Sequence, residues 1–330
     1  MGGYVIRRIG VALVLLLILT AVTYLLFNAV PTDPARLTCG KSCTPAIIAA
    51  NRVRLGLDQP LVIQYFHFLT GIFVGRNYGS GTAVFHCAAP CLGYSFREGD
   101  TVLHLISAAL PVTASLAFGA FILWMALGIA TGLYTATHRG QRGDRIVMTL
   151  ALIGYSLPVF FIGLLLLVFV VIRWQLLPYP SYAPLLQSPA RWFQALALPW
   201  LSLAIVYAAF YTRLVRSEVL DVLGKDYIRS ARAKGVSSRR LMWRHVMRAS
   251  LTPVVTAAGL DLAGLLGGAV ITEAVFNLPG LGRLAVSAVT DYDLPLITGV
   301  TLVAATFVIV LNLIVDLSYA RLDPRVSPES

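Results

Sequence analysis

Charge is what this sequence most conspicuously lacks. Charged residues make up 12% of its 330 residues, where a water-soluble domain needs about a quarter to cover its surface. Hydrophobic residues make up 58%, and much of that content lies in long uncharged runs, so lipid must surround most of the chain. The catalytic patterns a membrane chain could carry are missing too. No phosphate-binding GxxxxGK[ST] occurs, and Gly224-Lys225 has neither its spacing nor its hydroxyl residue. No HExxH occurs. The five histidines (His67, His86, His104, His138 and His245) fall in expected loops or near span ends, so Gly154-Tyr155-Ser156 has no histidine at membrane depth to activate a serine. Asp261 and Asp316 lie outside the paired-aspartate motifs of an intramembrane aspartyl protease. These gaps count against a membrane enzyme and against an ATPase in this chain.

Cysteine is also scarce. Cys39/Cys43 and Cys87/Cys91 form two CxxxC pairs, and no histidine cluster with ligand spacing completes a zinc site. One or two disulfides in an extracytoplasmic loop is the favoured reading and a metal site the alternative. Sequence leaves the pairing open. The net charge of +11 does not point to nucleic acid, because the basic residues concentrate beside hydrophobic spans, as in membrane proteins generally.

The uncharged runs predict an all-α polytopic membrane protein with six transmembrane helices. Ile9 to Val30 follows Arg7-Arg8 and is too long for the core of a cleaved signal, so it is read as a retained first helix. Five more come after it: Ile106 to Tyr134, Ile146 to Ile172, Phe193 to Tyr211, Ala249 to Thr272 with Asp261 inside it, and Leu294 to Val315. Lipid offers an open backbone no partner, so each must be helical. Arg7 and Arg8, then Arg139, Arg142 and Arg145, then the ten Lys or Arg from Arg213 to Arg248, then Arg321 and Arg325 alternate with these spans. They therefore share one side, which the positive-inside rule makes cytoplasmic, together with both termini. The expected organisation is residues 1–30 as tail and first span, 31–105 as an extracytoplasmic loop, 106–320 as the core and 321–330 as a cytoplasmic tail. Within the outer loop, Leu61 to Val74 is too short for a confident span and is read as a surface helix.

The cytoplasmic loop from Arg213 to Arg248 carries most of the functional signal. Asp226 to Lys234 is helix-forming, with acid first and base last to suit the helix dipole. Gly235 stands where a helix end takes a left-handed residue, and Ser237 or Ser238 can cap a second helix. On that helix Arg240, Arg244 and Arg248 share one face, with Met242, Val246 and Ala249 on another. The element is a helix, a glycine turn and a helix. It suits either a basic hairpin on anionic lipid or a protein contact. The small run Ser230-Ala231-Arg232-Ala233 favours a protein, since small side chains admit a partner surface closely.

Inside the membrane, Pro158 must break the third span, either lining a path or serving packing alone. Asp261 and Glu273 are costly in lipid and should face the bundle interior or water. Asp261 suits a path or subunit interface, with a buried structural hydrogen bond as the alternative; Glu273 suits these or a cap on the following turn. Gly264, Gly267 and Gly268 give the fifth span a small face for close packing.

Asp226 to Gly235, with Pro253 downstream, resembles the "EAA" loop of bacterial ABC importer permeases, in the variant of the dipeptide and oligopeptide B-type subunits. The likeness runs almost end to end. It includes Pro31-Thr32-Asp33-Pro34, Leu55-Gly56-Leu57-Asp58-Gln59-Pro60, Tyr155-Ser156-Leu157-Pro158, Gly267-Gly268-Ala269-Val270, Glu273, Leu278-Pro279-Gly280-Leu281-Gly282 and Leu322-Asp323-Pro324-Arg325. The general motif's Glu-Ala-Ala positions hold Arg229-Ser230-Ala231, Arg248 stands where its Leu-Pro is usual, and the cysteine pairs with the tract Ala83 to Gly99 depart from the subfamily pattern. The resemblance implies a type I permease fold in the inner membrane. It implies pairing with a homologous second permease, two ATPase subunits and an extracytoplasmic solute-binding protein. Asp226, Tyr227, Arg229, Ser230, Ala231, Ala233, Lys234 and Gly235 would dock the ATPase; Pro158, Asp261, Gly267, Gly268 and Glu273 would serve the translocation path or the permease interface. Short peptides are the implied cargo, with nickel chelates, haem or another small solute as the alternative. A stand-alone channel or carrier would leave the helix–Gly–helix loop unexplained.

Overall fold

The computed structural model describes residues 2–29, 35, 44–55, 58–78 and 85–322. Cys39, Cys43, the segment Pro31-Thr32-Asp33-Pro34, Gly56-Leu57 and the terminal Asp323-Pro324-Arg325 lie outside the described residues. The described helices, in chain order, are α1 (Gly2–Ala29), α2 (Pro45–Leu55), α3 (Leu61–Val74), α4 (Val102–Thr137) and α5 (Arg142–Ser156). They continue as α6 (Val159–Arg173), α7 (Pro189–Leu223), α8 (Asp226–Ala233), α9 (Ser238–Leu266), α10 (Val270–Val275), α11 (Leu281–Thr290) and α12 (Leu294–Leu322). Two short antiparallel strand pairs interrupt the helical pattern: β1 (Arg76–Tyr78) with β2 (Phe85–Cys87), and β3 (Tyr94–Ser95) with β4 (Asp100–Thr101). Four helices, α4, α7, α9 and α12, are long and apolar enough to cross a membrane, and α5 with α6 makes a fifth if the bent pair is one span. The apolar part of α1 is Ile9–Leu25, shorter than these four, and it lies where the first crossing is expected.

Among the described residues the uncharged runs fall on helix except at Leu157-Pro158 and at Gly267-Gly268-Ala269, and several helices outrun the runs. α4 has 36 residues, roughly 54 Å at 1.5 Å per residue, well beyond a hydrocarbon core of about 30 Å. α7 likewise continues through Arg213 and Arg216 to Leu223, so the basic loop begins at Gly224 rather than at Arg213. Helical hydrogen bonding has no reason to stop where lipid does, and Glu218 and Asp221 do not oppose it.

The chain forms two compact units, Met1–Pro111 with Pro279–Ile309 and Val112–Leu278 with Val310–Ser330. In the first, α3 runs against α1 instead of standing alone as a surface helix. Thr20 and Tyr24 are polar interruptions of an apolar helix, and α3 supplies their partners. Thr20 Oγ1 and Tyr65 Oη lie 2.9 Å apart, Tyr24 donates to Gln64 Oε1 at 3.1 Å, and Tyr65 donates to the Leu17 carbonyl at 3.0 Å. The same unit holds a core of Val102, Ile106, Leu281, Leu296 and Val300. Cys87 and Cys91 are joined in a disulfide and buried with Tyr78, so this pair follows the disulfide reading. Among the described residues no cluster of His, Cys, Asp and Glu could hold a metal ion.

In the second unit, glycine lets helices approach. A β-carbon on Gly119 of α4 would fall within the Trp200 indole of α7, and one on Gly128 or Gly132 would collide with Tyr211 or Val215. Close contact through small residues is how lipid-embedded helices gain packing energy without hydrophobic drive. Trp200 Nε1 donates to the Ser115 carbonyl at 3.0 Å across this contact.

Candidate functional site

All the residues singled out for docking or for the path lie in the second unit. α8 sits between two long helices, α7 and α9. Gly224 and Lys225 end one and start the next, with Lys225 extended (φ −74°, ψ 147°) at the N-cap of α8. At its far end Val236 N–H donates to the Ala231 carbonyl and Gly235 N–H to the Arg232 carbonyl, at 3.3 and 3.0 Å. These two bonds define a Schellman ending, which requires a left-handed residue. Gly235 supplies it, with φ +78°.

Burial within α8 is one-sided. Ile228 is 1% exposed, while Tyr227 is 49% exposed. Ala231 is partly buried, and Asp226, Arg229, Ser230, Ala233, Lys234 and Gly235 are exposed. Exposed ion pairs link Lys225 to Asp221 at 3.1 Å and Arg229 to Asp226 at 3.5 Å, and such pairs contribute little to stability. Thus Ile228 fastens the helix, and its remaining surface, small and polar around Ser230, faces outward.

The second helix differs from its sequence reading in register. Ser237 occupies the N-cap of α9 without a side-chain capping bond, and Leu241 N–H donates to its carbonyl at 2.9 Å. Met242–Val246 then forms a π turn. The wider turn rotates the residues beyond it, so Val246, Met247 and Ser250 are buried and Ala249 is exposed. Met242, Val246 and Ala249 therefore do not share one face.

Within the spans, Pro158 does more than kink a helix. Leu157 is extended (φ −90°, ψ 134°), as a residue before proline prefers, and α5 and α6 are bent by 99°. Pro158 itself caps α6, its carbonyl accepting from Phe161 and Ile162 at 3.0 and 3.2 Å. Gly267 and Gly268 do not extend a small helical face, because the expected fifth span is broken at them. Gly267 ends α9 and Gly268 has φ +130°, a conformation that L side chains rarely adopt. α10 begins at Val270.

Glu273 on α10 is fully buried and accepts a hydrogen bond from Thr113 of α4 at 2.7 Å. Its backbone carbonyl receives the Leu278 N–H at 2.8 Å, which ties it to the Leu-Pro-Gly turn. Asp261 on α9 is half-buried and accepts from Tyr211 of α7 at 2.6 Å.

One contact is hidden in the sequence. Arg216 of α7 holds Asp144 of α5 through two bonds of 3.0 Å, Nε to Oδ1 and Nη2 to Oδ2. The Gly140 N–H adds a third at 2.9 Å. Asp144 lies among arginines that mark orientation, and Arg216 falls in the run assigned to the loop. A lone acid inside the basic cluster Arg139–Arg145 is the available signal.

The chain's relatives fit this arrangement. The family described as the binding-protein-dependent transport system inner membrane component matches residues 128–328, and its N-terminal companion matches residues 1–117. The chain is 36% identical over 326 residues to a probable peptide ABC transporter permease protein, y4tP, of Sinorhizobium fredii, covering 99% of both chains. It is 37% identical, again over 99% of both, to a putative peptide transport system permease protein of Brucella abortus. With the dipeptide transport system permease protein DppB of Escherichia coli it shares 33% identity over 98% of each chain. Among solved structures, the inward-facing MetNI methionine ABC transporter is similar in fold, with a TM-score of 0.52 and 18% identity over 67% of this chain and 97% of that one. The chain belongs to the family of binding-protein-dependent transport system inner membrane components, the membrane-spanning permeases of ABC transporters.

Proposed function

We propose that this chain is one of two permease subunits of an ATP-driven importer of di- and oligopeptides in the bacterial inner membrane, with both termini in the cytoplasm. Its relatives named as peptide permeases match almost its full length, which supports the cargo. A second, homologous permease completes the path, and an extracytoplasmic binding protein delivers the peptide. Two ATPase subunits bind the ATP and magnesium. The observation that carries the coupling role is α8. It is an eight-residue helix held by one buried side chain, Ile228, and closed by a left-handed Gly235, with its other face exposed. A rigid short helix between two span-length helices can pass a displacement of an ATPase directly to α7 and α9.

Co-purification tests this. The ATPases should accompany the wild-type chain and be lost with Ser230→Trp, which blocks the exposed face without touching Ile228. Gly235→Pro should lose them as well, because proline fixes φ near −65° and removes the Gly235 N–H. Retention of the ATPases and normal transport by both variants would refute the docking role.

A further inference from the structure

Asp261 is a carboxylate on a membrane-spanning helix with a neutral partner. Tyr211 donates to its Oδ2 at 2.6 Å. Among the described residues no Lys, Arg or His forms an ion pair with it. The two cations of α7 beyond Tyr211 make other contacts: Arg216 holds Asp144, and the Arg213 guanidinium lies 4.3 Å from the centre of the Tyr155 ring. A carboxylate at membrane depth without a cation is costly, and such groups face the bundle interior or a water-filled path and find a counter-charge there.

The surroundings say what kind of counter-charge fits. Asp261 keeps part of its surface exposed, and the Tyr211 bond uses only its Oδ2. Gly264, one turn along, opens onto space with no atom within 4 Å of a β-carbon placed there. Tyr211, which holds the carboxylate, belongs to an aromatic cluster. Tyr211 and Tyr207 stack on the fully buried Trp124, at centroid distances of 6.4 and 4.6 Å, and Tyr207 is itself partly exposed. A part-exposed carboxylate held by one neutral donor, with open space one turn along its helix, suits a compact cation through charge.

Resting on the peptide reading above, we infer that Asp261, positioned by Tyr211 and flanked by Tyr207, binds the α-ammonium group of a peptide in transit. The site would recognise the one cation that every unmodified peptide carries, whatever its side chains. It would also give the empty carboxylate its counter-charge only while cargo is present.

The test uses the purified permease–ATPase complex without its binding protein, so that upstream selection does not enter. Binding of trialanine and of N-acetyl-trialanine is measured calorimetrically. Wild type should prefer the free amine at least tenfold, and Asp261→Asn, which keeps the Tyr211 hydrogen bond, should bind both alike. Asp261→Glu should recover part of the preference. Equal binding of both peptides by wild type would overturn the inference. So would loss of complex assembly in Asp261→Asn, which would assign the carboxylate to a cation on the second permease. ATP-dependent uptake of trialanine by the complete wild-type system is followed in parallel. If that uptake is absent the peptide reading itself fails, whereas uptake without amine preference leaves that reading standing and removes only the role of Asp261.

Discussion

Arg216 and Asp144 form a two-pronged ion pair, Nε to Oδ1 and Nη2 to Oδ2, each at 3.0 Å. It fastens the first turn of α5 to α7 two turns before α7 ends, just ahead of the short loop helix α8. A planar guanidinium fits a carboxylate in this way and lysine does not. Asp144→Asn and Arg216→Lys should each lower the melting temperature of the purified chain by several degrees. The double variant should be no worse than the poorer single one, because the interaction is already lost. Additive losses would show that the two residues act independently.

Glu273 is fully buried and accepts from Thr113 at 2.7 Å. Glu273→Gln keeps the volume and the acceptor and should be mild. Glu273→Ala removes both and should destabilise by roughly 2–3 kcal/mol, the scale of a lost buried hydrogen bond together with a cavity. Thermal unfolding in detergent reads the difference; equal effects would mean that the carboxyl group is not tied to α4.

The Gly119–Trp200 contact predicts a specific rescue. Gly119→Ala would push a methyl group into the indole, and overpacking of this kind costs about 1–3 kcal/mol. Trp200→Leu in the same chain should restore much of the loss, read as folded yield and melting temperature. Absence of rescue would mean that the helices meet differently.

Much of this is legible in the sequence, and the exceptions share a cause. The spans, the short loop helix and the left-handed Gly235 follow from hydrophobic runs and local backbone chemistry, which neighbouring residues determine. The features that sequence hides depend on partners distant along the chain. The Arg216–Asp144 pair joins residues 72 apart, and the pairing of α3 with α1 rests on Thr20 meeting Tyr65. The break at Gly267-Gly268 is hidden because glycine is common in spanning helices, so its presence does not announce a turn. The π turn at Met242–Val246 leaves no hydrophobic signature and shows only in the exposure of Ala249.

Asp293 gives the first unit a pH dependence. Burial raises its carboxyl pKa, while hydrogen bonds from Ser95 and from the Leu296 N–H oppose that rise. A native carboxyl that holds its proton more tightly than the unfolded chain adds stability that is complete below the ordinary aspartate range, near 4. That stability is lost as pH rises through the raised native value. Asp293→Asn keeps the cap on Leu296 and cannot titrate. Wild type should therefore lose stability relative to this variant as pH is raised from about 4, measured by thermal unfolding. A constant difference, or one of opposite slope, would contradict the burial argument.

The central claim is that the chain conducts peptides only when ATPases act on it through α8. The most direct measurement is uptake of a labelled dipeptide into proteoliposomes holding both permeases, the ATPases and loaded binding protein, with ATP enclosed on the ATPase side. The account predicts uptake with ATP, none with a non-hydrolysable analogue, and at least a tenfold loss with Ser230→Trp in a chain that still inserts and folds. Uptake that proceeds without hydrolysable ATP, or that is unchanged by Ser230→Trp, would contradict it.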